Sequence, residues 1–479
     1  MALGSKGGSA TPPVIAHMAD DMIYEPSELY LPRRHKREDK SLPNLHVAVL
    51  EHGGFHDEVI GALVKVLDDV GVNFTVYRDG YRWGFDKVLH PFLPDLPDPE
   101  PRGSFGIHAE ERKFDIVFHT SCDYTWRDRL PDWIDEAFVK NPNLQIVCIQ
   151  HQLENLGKEE REVWAQQADE GRLRFMTLSP HVSSKLKTAV QEWAVETGNP
   201  VWGAVTVDTL VPIFPVQADQ MPLSIDGPGS QTPMGVSNAI PASIAILGNI
   251  EQNRRNYQGI MRDLQIAILE DPEAWGYRVE VESRRFIPLS DSAKPPVKLH
   301  FVGEKPDWSN VEVPDALQQV VVMHSGLQYD DFYRLIGSMD LIVPAFVDFV
   351  YVTHKLSSAI PAGIIARVPI LATPLHLEAY SFLRSPAIAL HPVGMGEVEA
   401  IGLIRRGVDP MTFDLSRDPV LPGYAGPQPG TPADWDAYHS RINYANGRMM
   451  KSLLADLASK IPANPVHEEE LRAEDEIDE

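Results

Sequence analysis

Apolar and polar positions along this chain alternate between two periods. LHVAVLEHGG (Leu45 to Gly54) is a short apolar run that closes on glycines, and FHDEVIGALVKVLDDVG after it carries apolar residues at helical spacing. The pair predicts a strand, a tight turn and a helix. NFTVYRDG supplies the next strand, so the three elements form a parallel βαβ unit with a right-handed crossover. FDIVFHTSCD, the helical DRLPDWIDEAFVKN, LQIVCIQHQ, a Glu- and Gln-rich helix and RFMTLSPHVSSKLKTAVQEWAVETG continue the alternation. VWGAVTVDTLVPIFP reads as the last strand of this half.

QADQMPLSIDGPGSQTPMGVSNAIPAS then breaks the periodicity with Pro, Gly and Ser, which places a boundary or long surface loop at residues 216–242. The rhythm restarts in SIAILGNIEQNRRNYQGIMRDLQIAILED, a strand, a glycine turn and an amphipathic helix. The strands VKLHFVGEKP and QQVVVMHSG follow. LQYDDFYRLIGSMD is a helix, LIVPAFVDF a buried strand and loop, HKLSSAIPAGIIARV a helix opened by small polar residues, and PILATP a final strand. A Pro-rich loop and the helix WDAYHSRINYANGRMMKSLLADLASK close the folded part. The expected organisation is a polar leader (1–43), a first Rossmann-like domain (44–215), the linker (216–242), a second Rossmann-like domain (243–400), the loop and helix (401–463) and an acidic tail (464–479). Two open parallel sheets place a crevice at the carboxyl ends of their strands, where ligands bind.

Length agrees, since 479 residues exceed what one core usually serves. The balance of 43 basic and 68 acidic residues gives a net charge of −25, which argues against a phosphate-backbone binder and hence against nucleic acid as a partner. Part of that excess lies in the tail Glu468 to Glu479, where eight carboxylates accompany only Arg472. No signal peptide or membrane span is apparent, so a cytoplasmic protein is expected. The basic run Arg33, Arg34, His35, Lys36, Arg37 leaves peripheral contact with an anionic membrane open, although Glu38 and Asp39 follow it as in a solvated linker. Cys122 and Cys148 are too few for a disulfide framework or a zinc site and lie in apolar strand-like runs. They are expected to be buried small hydrophobes in a reducing compartment, without chemistry of their own.

The succession LHFVGE, LQYDDFYRLIGSMDLIVPAF and HKLSSAIPAGIIARVPILATP, over roughly residues 243 to 385, resembles the nucleotide-binding half of GT-B glycosyltransferases. In that family a strand ends in Gly, a helix leads to an aspartate before a buried strand, and a donor-site loop precedes a small-residue helix. The first half resembles the family's acceptor-side domain only through its βα order and the turn Gly53-Gly54. The resemblance implies an α/β fold of GT-B architecture, two Rossmann-like parallel-sheet domains facing across a cleft. It also implies transfer of a sugar from a nucleotide-diphosphate sugar, used as co-substrate, to an unknown acceptor, with no permanently bound cofactor or obligatory metal.

Each candidate residue carries two readings. In the first turn, Gly53 and Gly54 permit close approach to a substrate, and His56 is placed to act as a general base on a sugar hydroxyl. Alternatively His56 closes the turn while Asp57 and Glu58 complement the helix dipole. Gly248, Arg254 and Arg255 at the second turn can meet a donor diphosphate, or form an exposed helix start. Lys355 with Ser357 and Ser358 suits the same diphosphate, or the serines simply cap a helix. Gly303 and Glu304 can approach base or ribose, or merely end a strand. His119, His151 and His181 each follow or end a strand of the first half, which lets their side chains converge on the cleft; they lack the spacing of a metal site, and buried, hydrogen-bonded histidines are the favoured alternative. The retaining members of the family carry E-x(7)-E across the donor loop; here Asp348 stands nearest, with Leu356 at its partner position, so the pattern is absent and the stereochemical outcome stays open. An epimerase of the same fold and a non-catalytic binding protein are the alternatives. Neither glycine turn has the G-x-G-x-x-G spacing of a dehydrogenase.

Overall fold

The computed structural model describes residues 45–122, 132–153, 158–216, 240–280, 282, 284–290, 294–413 and 430–461. The leader with its basic run, residues 217–239 of the linker, the loop 414–429 and the acidic tail lie outside them.

Six short runs rich in β-branched and aromatic residues pair in parallel in the first half: β1 (His46–Leu50), β2 (Asn73–Tyr77), β3 (Ile116–His119), β4 (Gln145–Gln150), β5 (Leu173–Thr177) and β6 (Val207–Thr209). Their order is β2-β1-β3-β4-β5-β6. A single parallel bridge, Tyr77 to Glu100, lies beyond β2. β3 and β4 are buried along their whole length, as parallel strands covered by helices on both faces must be. The covering helices include α1 (Asp57–Asp69), α2 (Asp132–Lys140), α3 (Lys158–Asp169) and α4 (Pro180–Thr197).

The second half repeats the plan. β7 (Ser243–Leu247) and helix α5 (Tyr257–Glu270) lead into a small antiparallel hairpin, β8 (Tyr277–Val279) with β9 (Phe286–Pro288). Then come β10 (Lys298–Val302), β11 (Val321–His324), α6 (Tyr329–Gly337), β12 (Leu341–Ile342), α7 (Ala359–Ile365), β13 (Ile370–Ala372), β14 (Ile388–Leu390) and α8 (Glu397–Arg405). The sheet is parallel in the order β11-β10-β7-β12-β13-β14. Numbered within its half this is 3-2-1-4-5-6, the Rossmann order. With the Glu100 bridge counted as a rudimentary third strand, the first sheet reads 3-2-1-4-5-6-7, the same order extended by one strand. Two six-stranded parallel sheets with flanking helices are the GT-B architecture.

The last helix, α9 (Pro432–Ala458), returns to the first half and packs on α1 and β6. Asn446 exchanges hydrogen bonds with both backbone groups of Val211, at 3.1 and 2.8 Å, and Asp456 accepts from Arg174 at 2.6 Å.

Four local expectations need correction. PILATP is followed by a further strand, β14, and the β8–β9 hairpin was not foreseen, because three-residue strands carry no periodic signature. VWGAVTVDTLVPIFP forms a short helix (Val201–Ala204) before the three-residue β6. HKLSSAIPAGIIARV is helical only over α7; ahead of it Lys355 forms an isolated antiparallel bridge with Gln152 of the first half, a long-range contact that helical spacing does not encode. Finally, Cys122 and Cys148 are buried as expected but form a disulfide, since adjacent β3 and β4 bring their Cα atoms to 5.5 Å. The pair therefore offers no support for a reducing compartment. No helix among the described residues is long and apolar enough to cross a membrane.

Candidate functional site

β1 delivers the chain to a turn that a buried carboxylate organises. Glu51 has no exposed surface; it accepts from the Gly54 amide and the Ser121 hydroxyl, both at 2.6 Å, and from the Thr120 hydroxyl. This pulls the β1–α1 turn onto the end of β3. Gly54, at φ +71°, supplies the left-handed residue the turn requires. Behind it Asp57 and Arg78 form an ion pair at 2.7 Å with both side chains 2% exposed. Arg82 donates to the Gly54 carbonyl at 2.8 Å.

His56 stands at the start of α1 without a side-chain capping bond. Its ring stacks on that of His151, centroids 3.6 Å apart. His151 is held in turn by a 2.6 Å hydrogen bond from Nε2 to the Thr120 carbonyl. Burial, then the neighbouring His151 and Lys355, hold the His56 imidazole well below its ordinary pKa. One residue on, burial and the adjacent Asp57 push the Glu58 carboxyl up to about 7, opposed by the hydroxyls of Tyr333 and Tyr329 on α6.

The loop after β4 carries the first half onto the second. The Leu153 amide donates to the His354 carbonyl at 3.1 Å, and Lys355 Nζ donates to Gln152 Oε1 at 2.8 Å. His181, at the start of α4, lies within 2.9 Å of the Ala379 carbonyl and 3.2 Å of the Lys355 carbonyl. Lys185 Nζ meets His354 Nε2 at 2.6 Å. Six nitrogen bases, His56, His151, His181, Lys185, His354 and Lys355, thus line one seam, and the bonded partners of the two lysines are a glutamine and a histidine. His119 is elsewhere: its Nδ1 lies 3.1 Å from the Cys122 sulfur, and burial pushes its pKa down to about 3.

In the second half two glycine turns pack together. Gly248 and Gly303 have φ +123° and +156°, and a Cβ on Gly303 would stand 2.0 Å from the Gly248 carbonyl oxygen. Arg255 is buried against them. It donates to the Leu247 carbonyl (3.1 Å), the Arg254 carbonyl (3.0 Å) and Ser357 Oγ (3.1 Å), with its guanidinium over the rings of Phe346 and Tyr351. The Ser357 amide donates to the Tyr380 hydroxyl at 3.3 Å. Arg255 and Ser357 therefore engage one another. Arg254, Glu304, Asp348 and Ser358 are exposed: Arg254 lies 3.4 Å from Glu251, and Asp348 accepts from the Val350 amide at 3.1 Å to start a short helix.

Sequence reading missed Glu51, Gln152, Lys185 and His354. Only Glu51 had a local signal, an acid set directly before a glycine turn. Among the described residues no group of three or more His, Cys, Asp and Glu is arranged to hold a metal.

No family model matches the chain, and no curated protein matches it. Among solved structures it is similar to a UDP-forming α,α-trehalose-phosphate synthase from Burkholderia xenovorans, with 10% identity, a TM-score of 0.47, and coverage of 88% of this chain and 100% of that one. A second similar structure is trehalose-6-phosphate from E. coli bound with UDP-2-fluoro glucose (8%, TM-score 0.43, 86% and 98%). A third is AviGT4, a glycosyltransferase involved in avilamycin A biosynthesis (11%, TM-score 0.41, 86% and 98%). At such values these likenesses add nothing to what the strand order of this chain already establishes.

Proposed function

We propose that the chain is a metal-independent glycosyltransferase, transferring a hexosyl or related group from a nucleotide-diphosphate sugar to an acceptor at the seam between its halves. The observation that carries this reading is the gathering of His56 from one half and Lys355 from the other among four further nitrogen bases, at the carboxyl ends of two parallel sheets. A departing diphosphate needs preorganised positive charge and donors, and Lys355 and Lys185 supply them without a metal. His56, kept neutral by its surroundings, is the base that takes the acceptor proton. Arg255 acts by holding Ser357 and the two glycine turns in place, and Arg254 is the exposed guanidinium available to phosphate oxygens.

Melting temperatures with UDP, GDP, ADP and their common sugar conjugates test this, using wild type and Lys355→Ala. A ligand at a hundred times its dissociation constant adds about 2.7 kcal/mol to stability. A selective shift that Lys355→Ala abolishes supports donor binding at the seam; no shift with any nucleotide removes the reading. A non-catalytic nucleotide-sugar-binding protein is the second reading, favoured by the exposed, capping position of Asp348 and by Leu356 at the partner position of the missing pair. Donor binding with neither transfer nor slow donor hydrolysis would select it.

A further inference from the structure

Beyond the seam, one histidine at the carboxyl end of β13 has a hydrogen atom with nowhere to go. His376 lies in the short helix Pro374–Ala379, where its Nδ1 receives the Thr373 amide at 3.0 Å and faces the Thr373 hydroxyl at 2.9 Å. A backbone N–H can only donate, so Nδ1 must be the bare nitrogen. In the neutral ring the proton is therefore on Nε2. That atom is buried and has no hydrogen-bond partner among the described residues. Burial, with His391 nearby, pushes the ring down to a pKa of about 4, so the neutral form prevails at ordinary pH.

Elsewhere the same chain shows what capping alone requires. Thr431-Pro432-Ala433-Asp434 at the start of α9 repeats the arrangement of Thr373-Pro374-Leu375-His376, and Asp434 accepts from the Thr431 amide at 2.9 Å. A carboxylate suffices there. A histidine in the same position adds a second, distal N–H, and an orphaned buried donor costs stability unless a ligand meets it.

Resting on the glycosyltransferase reading, we propose that His376 Nε2–H is a specificity donor to an uncharged oxygen, a hydroxyl or carbonyl, of the bound nucleotide-sugar. Three observations narrow the ligand. The donor is neutral, so it suits an uncharged acceptor better than a phosphate, which the lysines attract. Its Nε2 carries the proton, so it has no lone pair for a metal. Its ring centroid lies 5.5 Å from that of Phe346, which also stacks on Tyr351 and lies under the guanidinium of Arg255, so His376 adjoins the residues that close the second half's turns. Together an apolar face and one fixed donor are the usual lining of a small-molecule site.

His376→Asn keeps an oxygen for the Thr373 amide and removes the distal N–H. The test pairs calorimetric titration of wild type and variant with nitrogen-15 histidine spectra of the full chain. The probes are UDP, GDP and ADP and their glucose conjugates. The expected result is an Nε2–H tautomer in wild type, a shift of its proton on ligand addition, and about tenfold weaker binding by the variant at a ligand-free melting temperature no lower than that of wild type. Loss confined to the conjugate assigns the acceptor to a sugar hydroxyl; equal loss with the free nucleotide assigns it to the nucleoside. An Nδ1–H tautomer, or equal affinities, overturns the proposal and leaves the proposed function standing. Failure of wild type to bind any probe overturns both. If His376→Asn melts several degrees lower, the tautomer and its ligand shift in wild type decide.

Discussion

The imidazole of His56 lies face to face with that of His151, ring centroids 3.6 Å apart and planes 23° from parallel. Two stacked imidazoles repel when both are charged, and Lys355 adds to that repulsion. The arrangement is therefore built for a neutral His56.

His56 should accordingly titrate far below 6.5 in wild type, and Lys355→Ala should move its pKa upward, as read by proton and nitrogen chemical shifts. A depressed imidazole pKa leaves the base unprotonated across neutral pH, so turnover should fall only on strong acidification. His56→Ala should lower turnover by about 10²- to 10⁴-fold with a verified donor and acceptor. Full turnover in that variant removes His56 from the mechanism.

Glu58 gives the opposite pH dependence. Its carboxyl is raised to about 7 in the folded chain, whereas an unfolded glutamate titrates near 4.5, so between these values the folded state holds the proton that the unfolded state has lost. Stability should fall as pH rises through this window. Glu58→Gln should flatten that part of the profile in urea unfolding, and an unchanged slope would assign it to other groups.

The Asp57–Arg78 pair is almost fully buried, so removing either partner strands a charge. Asp57→Ala and Arg78→Ala should each destabilise by about 3–5 kcal/mol, and the double variant by much less than their sum. Additive losses in a denaturant double-mutant cycle would mean that the two side chains act independently.

Two glycines separate backbone strain from collision. Gly54 is left-handed with open space around its missing Cβ, so Gly54→Ala should cost about 1–2 kcal/mol. Gly303→Ala drives a methyl into the Gly248 carbonyl and should cost more, about 2–4 kcal/mol, with weaker nucleotide binding as the turn shifts. Equal melting temperatures for the two variants would show that the second turn yields freely.

What the sequence determined by itself is local. Apolar period and turn residues mark the two βα series, the glycine turns after β1, β7 and β10, and the interruption between the halves, because each depends on side chains a few positions apart. His56 and Lys355 stood out for the same reason, by their place beside a turn and before small polar residues. The tertiary structure alone decided which of these meet. Lys355 reaches Gln152 across 203 positions and Arg255 turns inward to Ser357 across 102, contacts that no periodicity encodes. Strand order likewise brought Cys122 beside Cys148, since parallel pairing sets neighbours by topology and not by distance along the chain, and packing alone decided that α9 returns to α1.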